Sequence, residues 1–441
     1  MTNIMNHSAE NRDNNQNGTT LEKVRRSLKK RRAAETRFQW YGRIAIGLSL
    51  GFLLALFISI IHDGYQAFIT TVVQLEVVID AETLGVEANP SPEALADGDY
   101  AALIKSALRA RFPEVTAREQ QQLLYSLVST SAEYQLRDAV TAKPELIGTR
   151  LSLWVLADDE VDMLRKGYID RQVAEENRRV KDIQIQWLDQ LRAQGQLQTR
   201  FNTNFFTQGD SRDAESAGIW GAVKGSFYVL ITTMLLSFPI GVGAAIYLEE
   251  FAPRNRFTDF IEVNINNLAA VPSIVFGLLG LAVFINFFGM PRSASVVGAL
   301  VLTLITLPTI IISSRAALKS VPPSIKEAAL GVGASPMQAI FYHILPLAMP
   351  GMLTGMIIGM AHSLGESAPL LMIGMVAFIV DVPQGILDSA TVLPVQIYLW
   401  ADSPERAFVE KTAAAIMVLL AFLIAMNTLA VLLRKHFERR W

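Results

Sequence analysis

The chain has 441 residues, of which 51% are hydrophobic and 18% charged, and its formal net charge is −2. Several apolar runs reach the roughly 20 residues that cross a bilayer core, so the composition predicts an integral membrane protein. The near balance of charge argues against a broadly basic surface for nucleic acid. The absence of cysteine excludes disulfides, thiolate metal sites and cysteine nucleophiles.

Residues 1–43 are polar and then strongly basic, and they precede a first apolar run at 44–61. A cleavable secretory signal has a shorter basic region and a small-residue cleavage site after its apolar core. This run ends instead in the sequence HDGY at 62–65. We therefore predict a basic cytoplasmic tail at 1–43 and a retained transmembrane helix at 44–61.

Apolar segments of sufficient length predict six spans, at about 44–61, 222–247, 267–288, 295–314, 346–371 and 413–433. Lysines and arginines concentrate in the N-terminal tail, in the loops after spans two and four, and in the tail at 434–441. By the positive-inside rule, both termini and the loop after span four face the cytoplasm.

Residues 62–218, between spans one and two, form a polar insert on the opposite side of the membrane from the termini. The insert is long enough to bury a core of its own. Apolar residues at three- and four-residue spacing predict helices at 99–111, 118–140 and 170–194. The sequence LSLWVL at 151–156 is the best strand candidate, and the polar stretch 194–218 is predicted to be a linker.

The loop between spans four and five, 316–345, has the pattern of two short helices joined by a hinge. Ser324 and Glu327 form a predicted capping box that starts the first helix. Gly333 loosens the chain after that helix, and Ser335 begins a second one with proline in its first turn. An amphipathic connector on the membrane surface is the alternative that this pattern leaves open.

A longer spacing runs through the same loop: Glu-Ala-Ala, a glycine six positions after the glutamate, and Leu-Pro eighteen and nineteen positions after it. This spacing resembles the EAA motif of ABC importer permeases, with His343 where the family usually has an aliphatic residue. The resemblance implies that the loop docks into a groove on a separate ATPase subunit and passes its motion to the spans. The residues that carry the motif are Glu327, Ala328, Ala329, Gly333, Leu345 and Pro346.

The dipeptide Gly-Lys occurs nowhere in the chain, so the phosphate-cradling Walker A loop is absent from it. ATP hydrolysis is therefore expected in another chain. We predict a transporter permease subunit with no catalytic residues, no metal site and no cofactor of its own.

Three further segments resemble PstA, the A-type permease family of bacterial phosphate-specific ABC importers. They are SFPIGVGAAIYLEEFAP (237–253), LAAVPSIVFGLLGLAVF (268–284) and GESAPLLMIGM (365–375). The resemblance covers residues 219–433. It implies an all-α polytopic membrane protein with six transmembrane helices of the ABC importer permease type. The large, mainly helical insert between spans one and two is predicted from its own apolar spacing, since it is much longer than the corresponding loop of a typical PstA.

The same resemblance implies partners and a location. It implies a second, PstC-like permease, two PstB-like ATPase subunits and a PstS-like periplasmic protein that delivers inorganic phosphate. The assembly is expected among the lipids of the bacterial inner membrane. Another oxyanion, such as sulfate or molybdate, is an alternative substrate. Outside the transporter class, a membrane-anchored sensor or scaffold built around the insert is the remaining alternative.

The apolar run 344–380 is too long for one crossing at about 1.5 Å per helical residue. Gly365 and Pro369 bracket Glu366 and Ser367, so we predict that the helix is interrupted there. Non-helical backbone at membrane depth persists only where protein or a watery cavity satisfies it, and an ionisable residue there suggests function. Glu366 and Ser367 are therefore candidate pathway residues. A structural interhelix hydrogen bond is the alternative role for Glu366.

Two basic residues complete the predicted pathway. His362 precedes Glu366 by four positions and shares its helix face, although the PstA family more often has arginine there. His362 is expected to be a neutral hydrogen-bonding partner of Glu366, with an arginine from the second permease supplying the positive charge. Arg315 closes span four, where it is either an orientation anchor or an anion-attracting group at the inner mouth.

Overall fold

The computed structural model describes residues 3–86, 91–375 and 378–437. The chain divides into two units, Met1–Ile61 and His62–Trp441. The first unit is formed by α1 (Asn3–Gly64), a helix that includes both the basic segment and the first predicted span and continues three residues into the second unit. Of the predicted tail 434–441, residues 438–441 lie outside the described residues.

The described part of the insert contains a three-stranded antiparallel sheet of order β2-β1-β3. Its strands are β1 (Ile69–Val78), β2 (Arg150–Leu156) and β3 (Leu197–Phe201). The prediction of β2 is confirmed by its antiparallel pairing with β1 from Val72↔Leu156 to Val78↔Arg150. β3 is polar and largely exposed, and only its pairing with β1 from Val73↔Leu197 to Ile69↔Phe201 makes it a strand. This long-range pairing is what the local pattern could not reveal.

Helices surround this sheet, so the mainly helical insert is confirmed. They are α2 (Ala81–Leu84), α3 (Pro92–Ala96), α4 (Tyr100–Arg111), α5 (Arg118–Tyr125), α6 (Ser131–Ala142), α7 (Asp159–Lys166), α8 (Asp182–Ala193) and α9 (Thr203–Thr207), with 3₁₀ turns at Tyr65–Phe68, Pro144–Leu146 and Glu175–Asn177.

Two predicted helices of the insert require correction. The segment 118–140 is two helices rather than one, because Val128 leaves the helical path to pair with Ala157 beside β2. The predicted helix 170–194 begins only at Asp182, since the preceding residues offer too few apolar positions for a continuous buried face.

The predicted linker 194–218 is also wrong, because the segment belongs to the folded core. It carries β3 and α9, and it buries Phe205 and Ala217 against Trp400 and Phe408. Ile219 also donates its backbone N–H to the Phe205 carbonyl. The insert and the membrane region therefore share one hydrophobic cluster. The segment was predicted to be a linker because most of its residues are polar, although its few apolar residues are buried.

The membrane region follows the insert. Its helices are α10 (Trp220–Ile246), α11 (Arg256–Ala269), α12 (Ser273–Gly280), α13 (Ser295–Lys319), α14 (Pro323–Gly331), α15 (Pro336–Gln338), α16 (Leu345–Gly365), α17 (Ala368–Met372), α18 (Leu393–Ala401) and α19 (Ala407–Phe437), with π-helical turns at Tyr247–Phe251, Leu281–Phe287 and Ala339–Ile344.

Across the described residues, five helices are long and apolar enough to cross a membrane, and a bent pair of helices adds a sixth crossing if it is counted as one span. The predicted span 267–288 coincides with the second helix of this pair, Ser273–Phe287, and includes only the last three residues of α11. α11 and the helix Ser273–Phe287 meet at an angle of 100° because Pro272, with an extended ψ of 134°, interrupts the path between them. The predicted membrane class is confirmed, with the helical path of the predicted third span interrupted at Pro272.

Small residues bring the membrane helices close together. An added Cβ at Gly355 would collide with Ser313, and one at Gly351 would lie 2.7 Å from the Cβ of Ala317. These two glycines therefore allow α16 to lie directly against α13. Close backbone approach of this kind is the usual basis of helix association within a bilayer.

Candidate coupling and translocation sites

The first helix of the EAA loop does not begin at a capping box, which corrects the prediction for Ser324 and Glu327. α14 begins at Pro323, with Pro322 as its N-cap residue, so Ser324 lies inside the first turn. Proline suits the first helical position because its missing N–H would have had no helical partner there. The local proline therefore sets the helix start. Glu327 and Ala328 are exposed, and Ala329 is buried.

The predicted glycine hinge is confirmed at Gly333. Its φ is +92°, the left-handed region that glycine occupies without steric cost. The Gly333 N–H donates to the Leu330 carbonyl, and the Ala334 N–H donates to the Ala329 carbonyl. These two bonds form a Schellman motif, which satisfies the last carbonyls of α14 and gives the turn one defined shape.

The second helix begins as predicted, at Ser335 and Pro336. The Ser335 hydroxyl accepts from the Gln338 N–H, and the Gln338 side chain accepts from the Ser335 N–H. The helical path then continues from Pro336 to Gly365. The second helix of the loop is therefore the beginning of span five, so a displacement of the loop acts directly on that span.

The helix pair has one buried side and one exposed apolar side. Ala329, Ile340 and Ile344 are buried, the two isoleucines in a cluster with residues of α10, α13 and α16. On the other side, Val332 is 86% exposed and Tyr342 is 72% exposed. We call this side the exposed apolar face; it comprises Leu330, Val332, Met337, Phe341 and Tyr342.

Ion pairs attach the loop and span four to neighbouring elements. Lys326 of α14 donates to Glu250 in the turn that ends span two. Arg315 donates to Glu249 at 3.3 Å and to Glu262 of α11 at 2.7 Å. Sequence reasoning missed these three carboxylates. The Glu-Glu pair at the end of span two could have indicated two of these contacts. Both carboxylates lie at a helix C-terminus, which is itself partly negative, so cationic side chains are favoured nearby.

The remaining motif residues lie where the loop joins span five. Leu345 and Pro346 are half-buried. Pro346 lines a cavity of about 610 Å³ between the base of α14 and the start of α16. The other residues that line this cavity are Ser320, Val321, Pro322, Ile325, Leu347 and Pro350.

The predicted interruption of span five is confirmed. α16 ends at Gly365, Glu366 has an extended ψ of 114°, and α17 begins at Ala368. Across this break, His362 Nε2 lies 3.2 Å from Glu366 Oε1. Ser367 starts the next short helix by accepting the N–H groups of Leu370 and Leu371. The break also packs closely on α12, since a Cβ at Gly277 would lie 2.7 Å from Pro369.

The structure does not bring the four predicted pathway residues together. His362, Glu366 and Ser367 lie at one end of α16. Arg315 lies level with the middle of α16, because α13 and α16 meet on either side of it through Ser313 and Gly355 and through Ala317 and Gly351. Glu366 is eleven residues beyond Gly355, which is about 16 Å along a helix.

Residues 223–441 match the family described as "Binding-protein-dependent transport system inner membrane component". Residues 25–175, which include most of the insert, match "Domain of unknown function (DUF3333)". The membrane region and most of the insert thus match different families.

Individual relatives are also permeases. The chain is 38% identical over 173 residues to "Probable ABC transporter permease protein YqgI" of Bacillus subtilis, a match that covers 39% of this chain and 58% of that protein. It is 30% identical over 228 residues to YqgH of the same organism, covering 51% and 72%. It is 30% identical over 227 residues to "Phosphate transport system permease protein PstA 1" of Mycobacterium tuberculosis strain H37Rv, covering 51% and 72%.

The helical membrane region and these matches define the class of this protein as a transporter permease. The chain belongs to the binding-protein-dependent transport permease family of ABC transporters. Within that family, the PstA-named relatives confirm the resemblance to PstA-type permeases. The chain spans less than two thirds of YqgI, so what whole relatives transport does not transfer directly to this chain.

Proposed function

We propose that this chain is the permease subunit of an ATP-driven importer of inorganic phosphate. The observation that carries the transport mechanism is the EAA loop, a stiff helix pair whose second helix continues into span five. The substrate is supported by relatives named as phosphate permeases. Sulfate or molybdate import by the same kind of assembly is the alternative.

The proposed coupling route starts at the exposed apolar face. An ATPase subunit would cover Val332 and Tyr342, and the charge of Glu327 would lie beside that contact. The Schellman turn at Gly333 keeps the two helices in one arrangement, so a displacement is transmitted rather than absorbed. Lys326 and its partner Glu250 would pass part of the displacement to span two.

The proposed assembly contains a second, PstC-like permease, two PstB-like ATPase subunits and a PstS-like binding protein in the bacterial inner membrane. We assign 1–43 and 434–441 to the cytoplasm, 44–61 to span one, 62–218 to a periplasmic insert domain and 219–433 to the permease domain. The EAA loop then faces the ATPase subunits. This orientation rests on the lysines and arginines of the short loops.

Reconstituted transport tests the substrate. Proteoliposomes that contain this chain with its copurified partners should accumulate labelled phosphate only when ATP and the binding protein are supplied. Excess unlabelled phosphate should abolish accumulation, whereas sulfate and molybdate should leave it unchanged. Strong competition by sulfate or molybdate would identify the other oxyanion, and copurification without any ATPase would favour the sensor or scaffold.

We also propose that Glu366, oriented by His362 and followed by Ser367, shapes the translocation pathway through its charge. The support is its place at a helix break in the membrane region and its 3.2 Å contact with His362. Arg315 is assigned a different part of the pathway, near the EAA loop. There its two carboxylate partners make it a structural tie as well as a cationic group.

Replacing Glu366 separates the roles of its charge and its hydrogen bond. Glu366→Gln keeps an acceptor for His362 but removes the charge, whereas Glu366→Ala removes both. If the charge shapes the pathway, both variants should lower uptake at least about tenfold, which corresponds to about 1.4 kcal/mol. The measurement is initial uptake rate per amount of assembled complex. Normal uptake by Glu366→Gln together with loss in Glu366→Ala would show that only the hydrogen bond matters.

A further inference from the structure

Three phenylalanine rings of the insert and its junction form a continuous stack, which we call the phenylalanine row (Phe68, Phe206 and Phe201). The Phe68 and Phe206 rings are 5.5 Å apart and stacked. The Phe206 and Phe201 rings are 5.6 Å apart and inclined by only 3°. The outer end of the row is open, since Phe201 is 61% exposed and Phe206 is 38% exposed.

Buried Phe205 fixes the position of this row relative to the membrane helices. Its ring packs edge-on against Phe206 at 5.1 Å, and Lys411 Nζ of α19 lies 5.2 Å from its centroid. Lys411 is the last charged residue before the uncharged stretch 412–433 of that helix. The row therefore lies at the level where the apolar part of α19 begins.

The ends of two other membrane helices lie close to this level. α1 ends at Gly64, where an added Cβ would lie 2.8 Å from the Ala414 backbone nitrogen, one turn beyond Lys411. α10 begins at Trp220, which is 41% exposed, and Tyr65 directly after α1 is 49% exposed. Exposed tryptophan and tyrosine at span ends are the usual markers of the membrane–water boundary. The phenylalanine row therefore lies at the same level as the membrane–water boundary that these span ends mark.

We propose that the insert rests on the bilayer through the phenylalanine row, with Phe201 and Phe206 in contact with the lipids of the leaflet on the insert side. Phenyl rings have no polar group to hydrate, so a row that is open at the level of the span ends is removed from water when its rings enter the headgroup–acyl boundary of the bilayer, as the phenylalanines of interfacial helices do. Phe201 is held there by β3, and Phe206 by α9. The insert thereby gains a contact that restricts how it can tilt over the membrane.

The absence of cysteine makes this proposal directly testable, since one introduced cysteine is the single attachment point for a spin label. The labelled variants are Phe201→Cys and Phe206→Cys, in nanodiscs of phosphatidylethanolamine and phosphatidylglycerol. Val78→Cys is the matched control: it is 51% exposed and lies at the far end of β1, about 30 Å along the strand from Ile69.

At each position, the collision rate of the spin label with dissolved oxygen, which concentrates in lipid, is compared with its collision rate with a water-soluble nickel chelate. The oxygen-to-nickel accessibility ratio at positions 201 and 206 should be several-fold above that at position 78. Thr207→Cys, exposed on α9, keeps all three rings and should also give a raised ratio. Ratios at 201, 206 and 207 equal to that at 78 would overturn the proposal. Protection from both reagents would equally overturn it and indicate that protein covers the row.

Discussion

Replacing Gly333 with alanine should lower ATP-driven uptake about tenfold while the complex still assembles. At a φ of +92°, a side chain with a Cβ costs roughly 1–2 kcal/mol. If the loop must hold the Schellman turn while it transmits motion, this cost is added to the barrier of the coupling step, and about 1.4 kcal/mol there lowers the rate tenfold. Uptake and ATP hydrolysis should be measured on the same preparation, because loss of coupling lowers uptake more than hydrolysis.

Gly331→Ala is the control for this variant. Both glycines lie in the same loop, and among the described residues an added Cβ at either position meets open space within 4 Å. They differ in backbone conformation, since Gly331 is the last residue of α14 and only Gly333 has a positive φ. Gly331→Ala should transport normally. Equal uptake by the two variants would show that the shape of the hinge does not matter for coupling.

Replacing Lys166 with methionine should destabilise the protein by about 3–5 kcal/mol, because it leaves buried carboxylates without their cation. Lys166 Nζ lies 2.6 Å from Asp162 Oδ2 in the insert and 2.6 Å from Glu410 Oε1 in α19. Its side chain is 3% exposed and that of Glu410 is 4% exposed. The expected result is a lower midpoint of thermal unfolding for the full chain in detergent.

A double variant distinguishes a lost ion pair from lost packing. Lys166→Met combined with Glu410→Leu removes both charges of one contact, and it should be less destabilised than the sum of the two single variants. Arg171→Met is the matched surface control, since Arg171 and Asp189 are paired at 2.9 Å but are 41% and 50% exposed. Its effect should stay below about 1 kcal/mol. Additive losses in the double variant would contradict coupling across this junction.

The spans, the glycine hinge and the break in span five follow from local chemistry. Apolar length, lysine and arginine placement, and the stereochemistry of glycine and proline act within a few residues. For that reason Gly333, Ser335 and the break at Glu366 could be predicted from the sequence. Two local signals within one segment can also favour different structures. The first helix of the EAA loop begins at Pro323 and not at a capping box of Ser324 and Glu327. Pro272 likewise interrupts the apolar segment predicted to span the membrane at 267–288.

Other features exist only because distant residues meet. β3 is a strand through its pairing with β1, and Lys166 reaches Glu410 across 244 positions of sequence. The supposed linker is core because Phe205 packs against Trp400. The amino-acid order was thus sufficient for the membrane class and the coupling motif, since these depend on hydrophobicity and short spacing. The attachment of the insert to the last span required the folded chain, because pairing of buried charges and rings depends on three-dimensional proximity.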